Sequence, residues 1–470
     1  MKRKALSAVL CLAMVTGMLA GCGSTSSSAA AENSAAPAAS EATSDASATE
    51  DASAAEESTA STEDFSGEEL SILVSQDWMN DCWDDVIANF EDKYDVTVDL
   101  QTIPADQYDD TLQTKLTTDS CADIFWIQSN PFAIDSVIVD PDKYCIDMTG
   151  ESWQSVIPEA RLSSCMTNDK LYGLQLWTNS PEYVMVYNKT MFDELGITEF
   201  PKTYADLKAA CEKISASGVT PWFLAGSEGW VQALAFFQIG GVYEEAQPGL
   251  YDALNNNTAT FADNEKMLEV LGQFKELSDA GYLGEDWIGA TNANLDNDFA
   301  DRKIAMAMAN PGEISAIKEA GAEDEFGIAL IPLGDNDTYP TNPAGPTMFG
   351  YKGSEHPELV KEFFRFCTTT ESLQSILDKH TNWTNIAVND ENVEQHWLPQ
   401  EEELINSVDT SKQQTPVLQT GTKYTNDSWG KFCEDMIAYC QGSMEANDVL
   451  KNMDSNRAES AKVANDENWK

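Results

Sequence analysis

Positively charged side chains are scarce in this sequence. Its 470 residues carry 28 Lys and Arg against 79 Asp and Glu, which gives a formal net charge of −51 at pH 7. Proteins that bind nucleic acid neutralise its phosphates with clustered Lys and Arg. The composition therefore argues against nucleic acid as a partner, and we interpret the acidity as a means of staying soluble at an exposed surface.

Histidine is scarcer still, because His356, His380 and His396 are the only three in the sequence and each is isolated. No group of Cys and His has the spacing of a zinc site. Residues 296–298 read Asp-Asn-Asp, which is similar to a fragment of a calcium loop but lacks its glycine turn and distal Glu. The sequence therefore predicts neither a metal nor a cofactor.

Catalytic signatures are also lacking. The sequence contains no serine-elbow, phosphate-loop or HExxH motif. Paired carboxylates of the kind that glycoside hydrolases use are plentiful, but so acidic a chain acquires such pairs by chance. We expect no enzymatic activity, and a membrane-anchored glycoside hydrolase is kept as an alternative.

Cysteine is present in ten copies, yet its spacing predicts no particular disulfide pairing. Two of the ten lie near the N terminus, and the other eight are scattered through a large chain. Several, such as Cys211, Cys367 and Cys433, fall inside helical patterns. Buried free thiols behave as small hydrophobic groups, so we interpret these eight as packing residues.

A long hydrophobic run occurs near the N terminus. Three basic residues, 2–4, precede the apolar stretch Ala5–Leu19. This stretch is too short to span a bilayer comfortably and is typical of a secretory signal.

The end of that leader reads Leu-Ala-Gly-Cys at 19–22, which resembles the lipobox of bacterial lipoproteins. The resemblance implies that residues 1–21 are a signal peptide and that Cys22 carries lipid. The lipid would hold the protein on the outer face of the cytoplasmic membrane without a transmembrane helix. An ordinary secretory signal with an incidental cysteine is the alternative.

Residues 22–66 consist largely of Ser, Ala, Thr, Glu and Asp, without a single Lys or Arg. Such a segment buries too little apolar surface to offset the entropy lost on ordering. We predict a disordered tether over 22–66 and a folded part over 67–470. About 400 residues exceed what one hydrophobic core usually serves, so we expect two domains.

The first part of the folded chain alternates strand and helix patterns. This β-α-β-α-β order predicts a parallel sheet with right-handed crossovers. Asp81 is the expected cap of the first helix. The predicted elements are strand Leu70–Val74, a helix after Asp81, a strand over 96–100, helix Asp106–Thr118 and strand Ala122–Ile127.

The pattern continues further along the chain. Thr203 is the expected cap of a helix that Gly218 ends. The other predicted elements are strands Tyr183–Tyr187 and Gly327–Ile331 and helices Asp263–Ala280, Leu359–Phe366 and Ser372–Lys379, followed by an almost wholly helical stretch, Asp427–Ala464.

Several blocks together resemble the extracellular solute-binding proteins of ABC importers, in particular the sugar-binding group called family 1. The blocks are LYG at 171–173, VYNKTMFDELGI at 186–197, FPKTYADLKAACEKI at 200–214, FADRKIAM at 299–306, FGIALIPL at 326–333 and HPELVKEFFRFCTT at 356–369. In the fourth block Asp-Arg replaces the glycine usual in the family.

This resemblance implies an α/β protein with the two-lobed, periplasmic-binding-protein-like fold of type II and a cleft between the lobes. Transferred to this chain, lobe 1 covers 67–178 plus 336–382, and lobe 2 covers 179–335 plus 383–470. The implied partners are a mono- or oligosaccharide and the membrane subunits of an ABC permease, with the protein itself a monomer. A surface protein that captures carbohydrate without an importer is a further alternative.

Candidate ligand-binding residues follow from the chemistry of sugars and from their place just after strands, because ligands lie beyond the carboxyl ends of strands in open parallel sheets. An aromatic ring matches the C–H face of a pyranose, and carboxylates, amides and indole N–H groups match its hydroxyls. The family places aromatics near Trp126, Trp230 and Trp429, and this chain has Asn310 close to where relatives usually carry a Trp. The candidates are Asp77, Trp78, Trp126, Gln128, Trp177, Asn179, Glu182, Trp230, Gln232, Asn310, Trp383 and Trp429.

Two crossing segments, near 176–182 and 332–336, are the expected hinges between the lobes. Rotation about a few hinge dihedrals closes such a cleft with little repacking. The ligand touches both walls only in the closed state, so it favours closure. We expect the closed form to be the one that a permease recognises.

Overall fold

The computed structural model describes residues 63–469, apart from 131, 139, 179–180, 381 and 409–414. The predicted signal peptide, the lipidation site Cys22, most of the tether and the candidate Asn179 lie outside the described residues. Phe65 falls inside the predicted tether but is only 5% exposed. Its ring lies edge-on to that of Tyr94, with 6.1 Å between centroids, so the packed part of the chain begins before 67.

The strands are short, and two of them, Ile124–Ser129 and Ile304–Ala309, are almost wholly buried and apolar, as expected inside a sheet. They are β1 (Glu69–Ser75), β2 (Thr97–Ile103), β3 (Ile124–Ser129), β4 (Met166–Thr167), β5 (Lys170–Leu171), β6 (Gly173–Gln175), β7 (Val184–Asn188), β8 (Thr220–Phe223), β9 (Ile304–Ala309), β10 (Phe326–Ala329), β11 (Pro340–Thr341), β12 (Gly345–Gly350) and β13 (Thr415–Pro416).

The helices make up the larger share of the structure. They are α1 (Asp81–Tyr94), α2 (Ala105–Thr117), α3 (Pro141–Tyr144), α4 (Glu159–Ser163), α5 (Lys189–Glu194), α6 (Tyr204–Ala216), α7 (Val231–Phe237), α8 (Gly240–Ala246), α9 (Leu250–Asn255), α10 (Glu265–Asp279), α11 (Leu295–Ala300), α12 (Glu313–Glu319), α13 (Pro357–Cys367), α14 (Thr370–Lys379), α15 (Pro399–Ser407), α16 (Leu418–Gly421), α17 (Trp429–Cys440) and α18 (Ala446–Val463).

The first lobe is built on a sheet of order β2-β1-β3-β12-β6. Strands β1, β2 and β3 are parallel, which confirms the β-α-β-α-β prediction. Alternate residues of β1 face opposite sides: Leu70, Ile72 and Val74 enter one apolar cluster, and Leu73 enters another. Strand β12 pairs antiparallel with β3 and β6, so the complete sheet is mixed.

The second lobe is built on a sheet of order β10-β7-β9-β8. Strand β7 pairs antiparallel with both β10 and β9, and β8 runs parallel to β9. Apolar residues of the helices α7, α10, α17 and α18 cover one face of this sheet in a single cluster. The predicted C-terminal helical stretch is thus two helices, and the break between them contains Gly442, with φ of 74°.

Helix caps show how far local sequence sets these elements. Thr203 caps α6 as predicted, because its side chain accepts a hydrogen bond from the amide of Asp206. The predicted cap of α1 was wrong by one position. Asn80, not Asp81, accepts the amide N–H of Cys82, at 3.2 Å, and Asp81 is the first helical residue.

Two crossing segments join the sheets, residues 176–183 between β6 and β7 and residues 330–344 between β10 and β12. The guanidinium of Arg161 ties them together, since it donates to the carbonyl oxygens of Thr178 and Ala344. Burial lowers the pKa of Arg161 to about 10, so this side chain still carries its charge at neutral pH.

The chain passes between the lobes again towards its C terminus. The predicted division assigns 383–470 to lobe 2, but Trp383, Ile386 and Val393 pack in an apolar cluster of the first lobe. Leu404 is the next buried residue along the chain that packs in a cluster of the second. In the described part of the chain, no helix combines the length and the apolar character needed to cross a bilayer.

Candidate functional site

A cavity of about 630 Å³ lies between the two lobes. We call it the amide cavity, after two glutamines in its wall, Gln238 and Gln419. It brings together most of the residues predicted from the sequence, and both lobes contribute to it. The predicted residues in its wall are Asp77, Trp78, Gln128, Trp177, Glu182, Trp230 and Trp429.

The first-lobe wall of this cavity is set by the ends of strands. Trp78 ends the short helical turn that follows β1, Gln128 is the penultimate residue of β3, and Trp177 comes two residues after β6. Strands β1 and β3 are parallel, so their carboxyl ends meet at one edge of the sheet. These three residues were predicted from the sequence for that reason.

Glu182 lies in the first crossing segment and has both carboxylate oxygens occupied. Oε1 accepts the indole N–H of Trp177 at 3.1 Å, and Oε2 accepts the amide of Asn342 at 2.7 Å. Burial raises the pKa of Glu182, against the opposing effect of these two hydrogen bonds. Its carboxylate therefore links the two crossing segments and orients Trp177 at the cavity wall.

The second-lobe wall carries two tryptophans fixed to each other. The indole N–H of Trp429 donates to the carbonyl oxygen of Trp230 at 2.8 Å. Trp429 also lies edge-on to Phe237, with 5.0 Å between ring centroids. The polar group of Trp429 is thus already paired, so this indole has its ring surface to offer a ligand.

Two residues of the amide cavity were missed by the sequence analysis. Gln238 is 2% exposed and neither atom of its side-chain amide has a partner. Gln419 is 3% exposed and its Oε1 has no partner. A signal existed for Gln238, because it interrupts the otherwise apolar run that ends α7.

A second cavity, of about 1100 Å³, adjoins the first. Tyr183, Trp230 and Asn292 line both, so the two form one continuous groove. We call the second the acidic cavity, because Asp296 and Glu313 lie side by side in its wall.

Asp296 and Glu313 share a hydrogen bond. Burial, then this hydrogen bond, then the charge of Asp296 raise the pKa of Glu313 from 4.5 to about 9. The pair therefore keeps a proton in that hydrogen bond up to a higher pH than an isolated carboxyl group would. Within the described ranges, no three His, Cys, Asp or Glu side chains come together as metal ligands.

An aromatic platform forms another part of the acidic cavity. The rings of His380 and Trp383 are stacked, with 3.9 Å between centroids and 9° between planes. Burial lowers the pKa of His380 to about 4, so the imidazole is neutral at physiological pH. Trp177 lies edge-on to Trp383 at 4.8 Å and connects this platform to the amide cavity.

Comparison with known proteins identifies the architecture. The model of the family described as bacterial extracellular solute-binding protein matches residues 77–374. The chain belongs to this family. Its members are solute-binding proteins and not enzymes, as the sequence predicted, and their place is outside the cytoplasm.

Curated relatives of this solute-binding protein are distant. It is 27% identical over 241 residues to the multiple sugar-binding protein of Streptococcus mutans, which covers 50% of this chain and 56% of that protein. It is 26% identical over 156 residues to the sn-glycerol-3-phosphate-binding periplasmic protein of Escherichia coli, which covers 33% of this chain and 34% of that one. These alignments therefore span between a third and just over half of the relatives' own length.

Solved structures share the fold more completely. A chitin oligosaccharide binding protein matches with a TM-score of 0.68 at 16% identity, over 84% of this chain and 99% of its own. A sugar transporter from Bacillus licheniformis, in complex with stachyose, matches with a TM-score of 0.66 at 18% identity, over 83% and 100%. At such identities the likeness shows the fold, which is the two-lobed α/β architecture predicted.

Three predicted residues of this solute-binding protein line neither cavity. Trp126 is 4% exposed and packs edge-on against Trp83, with 5.0 Å between centroids. Gln232 is fully buried, and its amide donates to the carbonyl oxygen of Gly226. Asn310 lies outside both walls, although Glu313, on the helix that follows, lines the acidic cavity.

The position of Trp126 away from the groove has a structural cause. The predicted strand ended at Ile127, whereas β3 continues to Ser129. The end of the strand therefore brings Gln128 to the cleft and leaves Trp126 opposite Met348 inside the sheet. Trp383 was predicted as a ligand-binding residue and does line the groove, but in its acidic part.

Proposed function

We propose that this solute-binding protein captures a neutral carbohydrate in the groove between its lobes and delivers it to an ABC importer. The observation that carries the proposal is the amide cavity. Both of its walls combine exposed aromatic surface with polar side chains that lie close by. That combination suits a pyranose, which has apolar C–H faces and a polar edge of hydroxyls.

The charge of the groove argues for a neutral ligand. The charged residues in the wall of the amide cavity are Asp77, Glu182 and Glu228, and no described Lys or Arg lines it. Lys379 lines the acidic cavity, but it pairs with Asp85 at 2.9 Å. A phosphate would meet carboxylates here instead of the cations that bind it elsewhere. The ligand named for the Escherichia coli relative, sn-glycerol-3-phosphate, therefore does not suit this groove.

The size of the groove favours an oligosaccharide. Cavities that hold a drug-sized ligand are about 300–1,000 Å³. The amide cavity alone, at about 630 Å³, falls in that range. The acidic cavity adds about 1100 Å³ and a second aromatic platform. A chain of several sugar units would place one in the amide cavity and extend across Trp230 towards Trp383.

Calorimetric titration with a defined panel tests this proposal. We suggest raffinose, stachyose, chitotriose and xylotriose as neutral probes and sn-glycerol-3-phosphate as the anionic control. We expect at least one neutral sugar to bind, no cleavage of it on prolonged incubation, and no binding of the phosphate. Binding of the phosphate alone would contradict the proposal, and cleavage of a sugar would favour the hydrolase alternative.

The lobe division and the closing motion are part of the same proposal. The hinges would lie in the two crossing segments, which Arg161 and Glu182 hold together at one end of the groove. Small-angle scattering with and without the sugar that binds should show a smaller radius of gyration when the groove is loaded. An unchanged radius of gyration at saturating sugar would favour the alternative of a rigid protein that captures carbohydrate without an importer.

We also infer that Cys22 carries a lipid, that residues 1–21 are removed, and that a monomer is thereby held at the outer face of the cytoplasmic membrane. The Leu-Ala-Gly-Cys sequence supports this. In a bacterial host, Cys22→Ser should move the protein from the membrane fraction to the medium or leave it unprocessed. A membrane-bound, lipid-labelled Cys22→Ser protein would contradict it.

A further inference from the structure

Gln238 is an unusual residue for its position. It follows the last residue of α7, where its backbone amide donates to the carbonyl oxygen of Leu234 at 3.0 Å. The side chain is 2% exposed, lines the amide cavity, and leaves both the carbonyl oxygen and the amino group of its amide without a partner. Buried polar groups in native proteins are nearly always hydrogen-bonded, so an unpaired amide facing a cavity needs an explanation.

Gln419 reaches the same cavity from a different part of the second lobe. It lies on the short helix α16, and its Oε1 is also buried without a partner. Helix α16 is firmly held. Tyr251 donates to the carbonyl oxygen of Pro416 at 2.7 Å, and Asn255 donates to that of Gly421 at 3.0 Å.

Close packing adds to this anchoring. A Cβ on Gly421 would lie 2.2 Å from the ring of Tyr251, and a Cβ on Gly240 would lie 2.0 Å from its hydroxyl oxygen. Only glycine leaves room for α16 and α8 to approach this ring so closely. The carboxamide of Gln419 is therefore held on a rigid support, which is what a recognition group requires.

An apolar side chain in place of either glutamine would destabilise the folded protein less. A buried amide without a partner is less favourable than an apolar side chain of the same shape, because it has lost its hydrogen bonds to water. Gln238, with neither atom of its amide paired, and Gln419, with its Oε1 unpaired, face one cavity between aromatic rings. Retaining them favours the fold only when something in the cavity completes their hydrogen bonds.

We propose that Gln238 and Gln419 are the residues that recognise hydroxyl groups on the sugar unit bound in the amide cavity. Each carboxamide has both a donor and an acceptor, and a hydroxyl is likewise both. A pair of neighbouring hydroxyls on one ring matches the two atoms of a single carboxamide. This inference rests on the proposed function and adds which groups of the sugar are recognised, and by which residues.

The same geometry predicts the selectivity of the site. A ligand that lacks one of these hydroxyls would leave a buried amide unpaired, and sites of this kind discriminate strongly against such analogues. Trp230 and Trp429 contact C–H groups, which nearly all pyranoses have. The glutamines, and not the tryptophans, would therefore distinguish one sugar from another.

The test uses Gln238→Met and Gln419→Met in the full-length protein. Methionine keeps the length of the side chain and removes its amide. The probe is whichever of raffinose, stachyose, chitotriose and xylotriose the wild type binds best by calorimetry. We expect each variant to lose about 10- to 100-fold in affinity, the effect of leaving a hydrogen-bonding group unpaired in a buried site. Without sugar, the melting temperature should hold or rise.

Gln232→Met is the matched control. Gln232 lies on α7, the helix that Gln238 follows, and is equally buried. Its amino group donates to the carbonyl oxygen of Gly226, its Oε1 has no partner, and the residue does not line the cavity. We expect this variant to melt at a lower temperature and to keep the wild-type affinity within about twofold, because it removes a structural hydrogen bond only.

Three results would overturn the inference. If Gln238→Met and Gln419→Met keep full affinity while the wild type binds a sugar, the amides do not read the ligand, although the proposed function stands. If both lower the melting temperature as Gln232→Met does, they have structural partners. If the wild type binds none of the four sugars, the proposed function fails, and hydroxyl recognition with it.

Discussion

The two parts of the groove differ in how their polar groups are arranged. In the amide cavity the carboxylate of Glu182 is satisfied by protein donors, and the groups left unpaired are neutral amides. In the acidic cavity Asp296 and Glu313 satisfy each other by sharing a proton. Both parts contain paired aromatic rings, edge-on at Trp429 in the amide cavity and stacked at Trp383 in the acidic cavity.

This difference gives the two cavities different roles: the amide cavity selects the sugar unit, and the acidic cavity accepts sugar units of various kinds. An unpaired amide raises the affinity for a ligand that has a hydrogen-bonding atom at one position and lowers the affinity for a ligand that lacks it. The amide cavity is therefore selective. The acid pair of the other cavity is internally complete and requires nothing of a ligand. Its aromatic platform accepts any sugar face, so it suits the variable part of an oligosaccharide.

Trp230 belongs to both cavities, and its loss should have the largest effect on binding. Trp230→Ala removes a ring on which the sugar stacks, so we expect affinity to fall by about 1–3 kcal/mol, the scale of a buried aromatic contact. Calorimetry with the sugar that binds best is the measurement.

Trp126→Ala is its matched control, since Trp126 is a buried residue of β3 outside the groove. We expect it to lower the free energy of unfolding by about 3–5 kcal/mol, as large-to-small substitutions in a core do, and to leave affinity unchanged. Loss of binding in Trp126→Ala without loss of stability would show that the groove reaches further into the first lobe.

Trp383 belongs to the acidic cavity alone, so its loss should depend on ligand length. Trp383→Phe keeps a ring next to His380 but shrinks the platform. We expect the affinity for a tetrasaccharide such as stachyose to fall by about 1 kcal/mol, an aromatic-contact effect, and that for a monosaccharide to stay the same. Equal losses for both would mean that the two cavities do not act as separate parts of one groove.

Glu313 should have the smallest effect on binding, because its loss acts on stability instead. Its pKa is raised from 4.5 to about 9 in the folded protein. Between these values the folded state holds a proton that the unfolded state has lost, so the free energy of unfolding falls as pH rises. The side chain of Glu313→Gln cannot ionise, so the variant does not lose this stability. Its melting temperature minus that of the wild type should therefore increase from pH 5 to pH 9.

Glu319→Gln, at the exposed end of the same helix, is the control and should follow the wild type across that range. Affinity for a neutral sugar should change little in either variant. A constant offset between Glu313→Gln and the wild type at all pH values would show that Glu313 ionises as freely as an exposed carboxyl.

Local sequence predicted the elements well and the site in part. Buried strands such as β1 and the cap of α6 at Thr203 follow from nearby residues alone. Trp78, Gln128 and Trp177 were found because strand ends converge at one edge of a sheet. Trp126 lies away from the groove because the end of β3 depends on how far its neighbour β12 pairs with it, and no local pattern shows that.

The missed residues have a related cause. Gln238 and Gln419 are distant in sequence and line the same cavity only because α16 docks on Tyr251. Pairing of Asp296 with Glu313 likewise depends on the packing of α11 against α12. These arrangements depend on tertiary packing. The sequence alone shows at most a polar residue within an apolar run.

The cysteines have a practical consequence. All eight in the described part of the chain are free, and all but the half-buried Cys121 are buried. Burial raises the pKa of Cys165 and of Cys211 to about 12, so hardly any thiolate forms at neutral pH. Since these two lie in different lobes and thiolate is the reactive species, a thiol dye should label each only when its surroundings open. The rate at which each cysteine is labelled in the unmodified protein therefore reports the rate at which its lobe opens. Mass spectrometry of the peptides after timed labelling measures both rates.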